Sequence, residues 1–286
     1  MVAVSIVTYK TPDDEIRKCL DTLLQCQEVT RIDIVDNSAQ ERIQRTVKSY
    51  KSRHINYIGC NNNGFGAGHN ISIAKSLEDS SLKYHLVINS DIVFSSDTIT
   101  QTTAIMDADE RIGMATPMVL DASGREQSSY HPLPRYSDLI FRRFFPTFLS
   151  KKRIKEYNLL VEGRQELLNV PYIHGCFMMM RLEALRVTGI FDERYFMYPE
   201  DIDLSRRIRE KYAVAVIPYF SIIHYHRGES RKNMKMLRIH IINMIRYFNK
   251  WGWHQNKARR LYYPSSLEPV QKTRRPIRQR LSNNQS

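Results

Sequence analysis

Five acids and two histidines are the residues of this chain best suited to act together: Asp36, Asp91, Glu200, Asp201 and Asp203, with His224 and His226. Asp91 follows the apolar run "YHLVIN" and is itself followed by Ile92, Val93 and Phe94. A carboxylate at the end of a core strand is costly unless a cation or hydrogen-bond donors meet it. Hard cations such as Mg²⁺ or Mn²⁺ take oxygen ligands and commonly keep substrate phosphate oxygens in their shell, so a nucleoside diphosphate is a natural partner. Glu200 and Asp201 follow the aromatic cluster Tyr195, Phe196, Met197 and Tyr198. Such surroundings can lower the local dielectric and lift a carboxylate towards the range of a general base. The same acids also read as the first turn of a helix, with Arg206 and Arg207 as exposed partners further on. His224 and His226 flank Tyr225, so on a strand they share a face, as a metal or phosphate site could use; spacing does not choose between them.

The elements that must position these residues alternate. Val2 to Thr8 reads as a central strand, Asp13 to Gln25 as a helix, and "RIDIVDNS" as a second strand ending in Asp36, Asn37 and Ser38. A polar helix over Gln40 to Lys51, the strand "HINYIG", the Gly-rich loop "NNNGFGAGHN" and a helix near Ile71 to Ser81 follow. "YHLVIN" is a fourth strand, and Ser96 or Asp97 can cap a helix to about Glu110. This order predicts an α/β fold, a mostly parallel sheet with helices on both faces, whose ligands sit outside the carboxyl ends of the strands. Thr8, Asp36, Asn37, Asn61 to Asn63 and Asn89 to Asp91 all fall at that edge. The glycine loop fails the G-x-G-x-x-G pattern, and it reads either as a tight turn or as backbone in contact with phosphates.

Beyond Met114 the alternation weakens through a long irregular segment near Gly124 to Asn169. "VPYIHGCFMMMR" reads as a strand entering a helix, Leu182 to Thr188, that stops at Gly189. "VAVIP" is a further strand, "FSIIHYHRGES" follows it, and Met234 to Trp251 is a helix with Met234, Leu237, Ile241, Met244, Ile245 and Phe248 on one face. Residues 1–230 thus form the motif-bearing domain, and residues 231–286 an amphipathic helix with a basic tail.

The 286 residues carry a net charge of +13, which favours polyanionic partners. Four cysteines, Cys19, Cys26, Cys60 and Cys176, lack metal or disulfide spacing and suit a reducing compartment. "MVAVSIVTYK" reads as a strand instead of a signal peptide, and no run is long enough to span a bilayer. Leu139 to Lys155 mixes four Phe with six Lys or Arg and no acid, a composition suited to an anionic membrane surface.

Together, "VSIVTYK", "IVDNS", "NNNGFGAGHN", "LVINSDIVF", "VPYIHGCFMMMRLEAL", "GIFDERYFMYPEDIDLSRRIRE" and "IIHYHRGES" resemble the family 2 inverting glycosyltransferases of GT-A fold, in particular bacterial rhamnosyltransferases of cell-surface polysaccharide synthesis. The resemblance implies that Thr8, Tyr9 and Asp36 line the nucleotide pocket, with Asn63, Gly64 and Asn70 beside the nucleotide sugar. Asn89-Ser90-Asp91 stands at the family's metal motif, where Asp91 is the single carboxylate, and His224 (or His226) stands at the metal or diphosphate position. Asp201 is implied as general base, with Gly175, Cys176, Tyr198 and Glu200 beside the acceptor. The implied partners are a nucleotide sugar such as dTDP-rhamnose, a polyprenyl-diphosphate-linked saccharide and the inner face of the cytoplasmic membrane. A nucleotidyltransferase would carry a basic Gly-rich loop after the first strand, where this chain has "TYKTPDDE". Nucleic acid is not expected as a partner, because the basic residues lie mainly outside the motifs.

Overall fold

A computed structural model of the chain describes residues 1–38, 41–127, 130–134, 163–225, 234–253 and 268–270. Leu139 to Lys155, His226 and the tail, residues 268–270 excepted, lie outside the described residues. Strands β1 (Val2–Thr8), β2 (Val29–Asp36), β3 (Ile55–Gly59) and β4 (Tyr84–Ile88) pair in parallel in the order β4-β1-β2-β3. Helices α1 (Asp13–Leu23), α2 (Glu41–Ser49) and α3 (Phe65–Glu78) connect them. Their uninterrupted apolar runs follow from burial on both faces. Val2, Val4 and Ile6 pack into one core with Ile16 and Leu20 of α1 and Ile43 of α2. Ala3 faces a second core with Ile73 of α3.

The sheet continues past β4 with mixed polarity. After β5 (Ile92–Val93) and α4 (Thr98–Ala108) comes β6 (Ile112–Leu120), where the sequence pattern showed no clear strand. The short β7 (Tyr130–His131) pairs with β9 (Tyr172–Ile173), apart from the main sheet. β10 (Phe177–Arg181) runs antiparallel between β4 and β6, and α5 (Leu182–Thr188) and α6 (Glu200–Arg209) cover the second core. β11 (Ala213–His224) is one twelve-residue strand, parallel to β6 with a register shift between Ile217 and Ser221. The shift accommodates Pro218, which has no N–H for the ladder. β8 (Leu168–Asn169) and β12 (Glu268–Pro269) finish that edge.

Two sequence expectations change. The glycine-rich stretch is not a loop throughout, because α3 begins at Phe65. Gly64 has φ of +108°, and a Cβ there would lie 2.0 Å from the Phe196 carbonyl oxygen; at Gly68 a Cβ would meet Val7 at 2.8 Å. These glycines let the start of α3 press against the strand and the 191–199 loop.

The last described helix, α7 (Met234–Trp251), also turns a different face inward. Met244, Tyr247 and Phe248 are buried with Tyr195, whereas Ile241 and Ile245 stay exposed. Polar bonds set this rotation: Asn243 Nδ2 donates to the Met197 carbonyl at 3.0 Å and Trp251 Nε1 to Asp203 Oδ1 at 2.7 Å. Lys250 Nζ donates to Asp192 and Asp203 at 2.8 and 2.9 Å.

Candidate active site

The carboxyl end of β4 is where the motifs meet. β4 pairs with β10, Ile88 opposite Phe177, which brings Asn89-Ser90-Asp91 against His174-Gly175-Cys176. The Asn89 N–H donates to the Cys176 carbonyl at 3.0 Å, and the Gly175 N–H donates to Asp201 Oδ2 at 3.3 Å. Two consecutive residues therefore fasten the Asp91 motif and Asp201 to each other. Ser90 Oγ donates to Glu15 Oε1, tying the motif to the first turn of α1. The buried Cys176 thiol feels both acids: burial first, then the Asp91 charge, with Asp201 adding to them, push it up to about 12.

β5 pairs antiparallel with the end of β11, Ile92 opposite His224, and the Tyr225 N–H donates to the Asp91 carbonyl at 3.0 Å. His224 Nε2 lies 3.4 Å from Asp91 Oδ1, and His224 Nδ1 lies 3.1 Å from Gln127 Oε1. An amide oxygen can only accept, so it fixes the proton on Nδ1 and presents Nε2 as a lone-pair donor beside a carboxylate oxygen. That donor set, one imidazole nitrogen oriented by an amide and one carboxylate, fits a divalent cation. Among the described residues no group of three or more His, Cys, Asp or Glu forms a complete metal site, so further ligands would come from a substrate.

Glu200 and Asp201 open α6 but occupy different environments. The N–H groups of Ile202 and Gly175 donate to Asp201, at 2.8 and 3.3 Å, and His174 Nδ1 lies 3.4 Å from its Oδ2. Glu200 is buried, and its Oε2 finds no hydrogen-bond partner among the described residues. Burial, then the neighbouring Asp201 charge, raise its carboxyl well above the usual range. The aromatic cluster ahead of these acids thus accompanies a raised acid at Glu200. Asp203 points to the opposite side, and Arg206 and Arg207 are not exposed partners. Arg206 is buried over the Trp251 ring at 4.0 Å, and Arg207 donates to Asp203 Oδ2 at 2.9 Å.

At the other end of the edge Asp36 is fully buried. Its Oδ1 accepts from Thr8 Oγ1 at 3.2 Å and from the Ser38 N–H and Oγ at 3.0 and 2.6 Å; its Oδ2 accepts from Tyr57 Oη at 3.1 Å. Tyr9 stands exposed at the rim. Asn63 is exposed on the loop before α3, where Asn62 Oδ1 takes the Gly64 N–H at 3.3 Å. Asn70 is buried and turned away from that loop. Its Nδ2 donates to the Phe191 carbonyl and to Glu193 Oε1, both at 2.9 Å, and its Oδ1 accepts the Phe191 N–H at 3.1 Å. Asn70 therefore anchors the wall that carries Tyr198, whose ring lies 5.3 Å from that of His240 on α7.

Sequence reading missed His174, Gln127 and Tyr57 as members of the site. His174 was visible only as the residue before Gly175, and its partner Asp201 lies 27 positions further on. Gln127 carried no signal at all.

A family model described as glycosyl transferase family 2 matches residues 3–189. The chain is 28% identical over 255 residues to rhamnosyltransferase WbbL of Escherichia coli (strain K12), covering 86% of this chain and 92% of that protein. It is 25% identical over 242 residues to the N-acetylglucosaminyl-diphospho-decaprenol L-rhamnosyltransferase of Mycobacterium tuberculosis, covering 79% of this chain and 76% of that one. Among solved structures, GalNAc-T7 with UDP, GalNAc and Mn²⁺ superposes with a TM-score of 0.63 over 87% of this chain. At 14% identity that likeness concerns the fold alone, and the chain spans 48% of that structure's length. The mixed, mostly parallel sheet with its acids at one strand edge is thus the GT-A fold of a glycosyltransferase, and the chain belongs to glycosyl transferase family 2.

Proposed function

We propose that the protein moves L-rhamnose from dTDP-rhamnose to a saccharide carried on a polyprenyl diphosphate, inverting the anomeric centre, during synthesis of a cell-surface polysaccharide such as O-antigen or capsule. The observation that carries the reading is the Gly175–Cys176 step, whose backbone bonds hold Asp91 and Asp201 in a single site. The choice of sugar and of a lipid-linked acceptor is supported by the rhamnosyltransferase relatives.

In this reading Thr8, Tyr9 and Asp36 hold the nucleoside, and Asn63, Gly64, Asn89 and Ser90 border the donor sugar and diphosphate, with Asn70 shaping that wall from behind. The acceptor lies against Gly175, Cys176, Tyr198 and Glu200. Asp201 accepts the proton of the acceptor hydroxyl as that oxygen bonds to the anomeric carbon and the bond from that carbon to the diphosphate oxygen breaks. The nucleoside diphosphate leaves with the bonding pair. Alignment of attacking and leaving oxygens supplies much of the remaining acceleration. Asp91 and His224 would hold Mg²⁺ or Mn²⁺, which when bound offsets the charge developing on the leaving diphosphate. GalNAc-T7, a protein of the same fold, was crystallised with Mn²⁺. No helix among the described residues is long and apolar enough to cross a membrane. We place the enzyme in the cytoplasm, peripherally on the inner face of the membrane that carries such acceptors.

The test is transfer from a panel of nucleotide sugars to a synthetic lipid-diphosphate acceptor, with and without Mg²⁺ or Mn²⁺, by wild type and Asp201→Asn. Loss of the base should lower the rate by about 10² to 10⁴-fold while the melting curve stays cooperative. Undiminished transfer by the variant would remove Asp201 as base. Absence of transfer from every donor would overturn the reading.

A further inference from the structure

We infer that the outer face of α7 is a seat for an anionic phospholipid bilayer. The helix is eighteen residues long, contains Lys235, Arg238, Arg246 and Lys250, and has no acid. Its inner face is committed to Tyr195 and the 192–203 segment, as described above. The outer face keeps Met234, Ile241, Ile242 and Ile245 in solvent, each between 40% and 74% exposed. Arg238 is exposed on this same face. Just past the helix, Trp253 is 41% exposed and packs on Phe248 with ring centroids 5.2 Å apart. A stripe of large aliphatic side chains with arginine among them and an indole at its end is what a helix lying in a lipid interface presents.

Charge chooses the occupant. Arg246 and Lys250 bond back to the 192–203 segment, so the outer face carries Arg238 on a helix with no acid, in a chain of net charge +13; a second copy would bring like charge against it, whereas anionic headgroups complement it. About 27 Å of helix would lie along the surface. The inner face of the same helix holds the proposed acceptor wall, through Asn243 to the Met197 carbonyl and through His240 against Tyr198. Seating α7 on the bilayer therefore sets that wall at the height from which a lipid-linked acceptor arrives. This consequence rests on the proposed function; the docking face itself does not.

The experiment is co-sedimentation of the full chain with vesicles of phosphatidylcholine containing about one-third phosphatidylglycerol, a level that gives the surface a marked negative potential, and with pure phosphatidylcholine vesicles. Wild type, Ile241→Asp/Ile245→Asp and the control Val187→Asp, an exposed apolar position on α5, are compared. Wild type and control should bind the anionic vesicles and release with salt, and the double variant should bind about a hundredfold more weakly, since each tenfold corresponds to about 1.4 kcal/mol. Equal binding by the double variant overturns the inference, assigning any membrane contact to another segment such as Leu139 to Lys155. So does failure of wild type to bind, or light scattering showing a dimer that the double variant converts to monomer. Transfer to a short-chain soluble acceptor is measured in parallel and should be equal in all three proteins. Vesicle binding as expected, with no transfer by any of them, would support the docking face while removing the proposed function.

Discussion

Glu200→Gln should stabilise the protein, and increasingly so as the pH rises. In the folded chain the Glu200 carboxyl is buried beside Asp201 and is held well above its usual value of 4.5. The unfolded chain releases that proton near the usual value; the folded chain keeps it. Between the two pKa values the folded state binds one more proton than the unfolded state, so stability falls by about 1.4 kcal/mol for each pH unit above 4.5. Below the unfolded value both states are protonated and nothing is lost. Glutamine has the same shape and cannot ionise, so the variant escapes this loss. Its advantage should grow by about 1.4 kcal/mol for each pH unit until the folded carboxyl itself ionises. Urea unfolding of both proteins at pH 4.5, 5, 5.5 and 6 measures the difference directly, and the pH at which its growth stops reads the folded pKa of Glu200. A difference that does not change with pH would mean that both carboxylates are charged in the fold. The assignment of a raised carboxyl to Glu200 would then be wrong.

Other consequences can be measured separately. Replacing Gln127 with Leu removes the acceptor that fixes the proton on His224 Nδ1; the Mn²⁺ concentration needed for half-maximal transfer should rise about 10- to 100-fold, the range typical of such supporting partners. Gly64→Ala places a methyl group 2.0 Å from the Phe196 carbonyl oxygen at a φ of +108°, and should lower stability by more than about 2 kcal/mol in thermal or urea melts. His69 and His85 are buried and share Ser5 Oγ, at 2.6 and 2.8 Å. Burial lowers His69 from 6.5 to about 3, and burial, with His69 and Arg31 beside it, holds His85 well below 6.5. The unfolded chain therefore binds protons first as the pH falls, and stability should be lost below pH 6.5 by up to about 1.4 kcal/mol per unit for each histidine. The double variant His69→Gln/His85→Gln should flatten that acid limb even where it is less stable overall.

What could be read from the sequence followed the reach of the interactions. The parallel half announced itself because a strand buried on both faces is an unbroken apolar run, and because polar residues interrupt such runs only at their ends; Thr8, Asp36 and Asp91 stood out for that reason. β6 was obscured by Pro117, and β11 was read only as far as Pro218, where a register shift lets the ladder absorb the proline and continue to His224. Asp91 and His224 were named from motif and residue type, yet the short β5–β11 pairing that sets them 3.4 Å apart has two residues on each side and no periodicity to betray it.

The sequence hides contacts whose partners lie far along the chain. The resemblance places Asn70 beside the nucleotide sugar, and in the fold its three bonds go to Phe191 and Glu193, more than 120 positions away. Gly64 meets Phe196, and Asn243 meets Met197. All three contacts converge on the segment between Phe191 and Pro199 that leads into Glu200 and Asp201. That segment has almost no regular structure of its own, so its position is imposed by α3 from one side and α7 from the other. Changes at Asn70 or Asn243 should therefore displace Asp201 without touching it, lowering turnover while leaving the nucleotide end around Asp36 intact. The proposed base is placed by two helices to which the reading assigns no catalytic group, and a motif-by-motif reading has no means of seeing them.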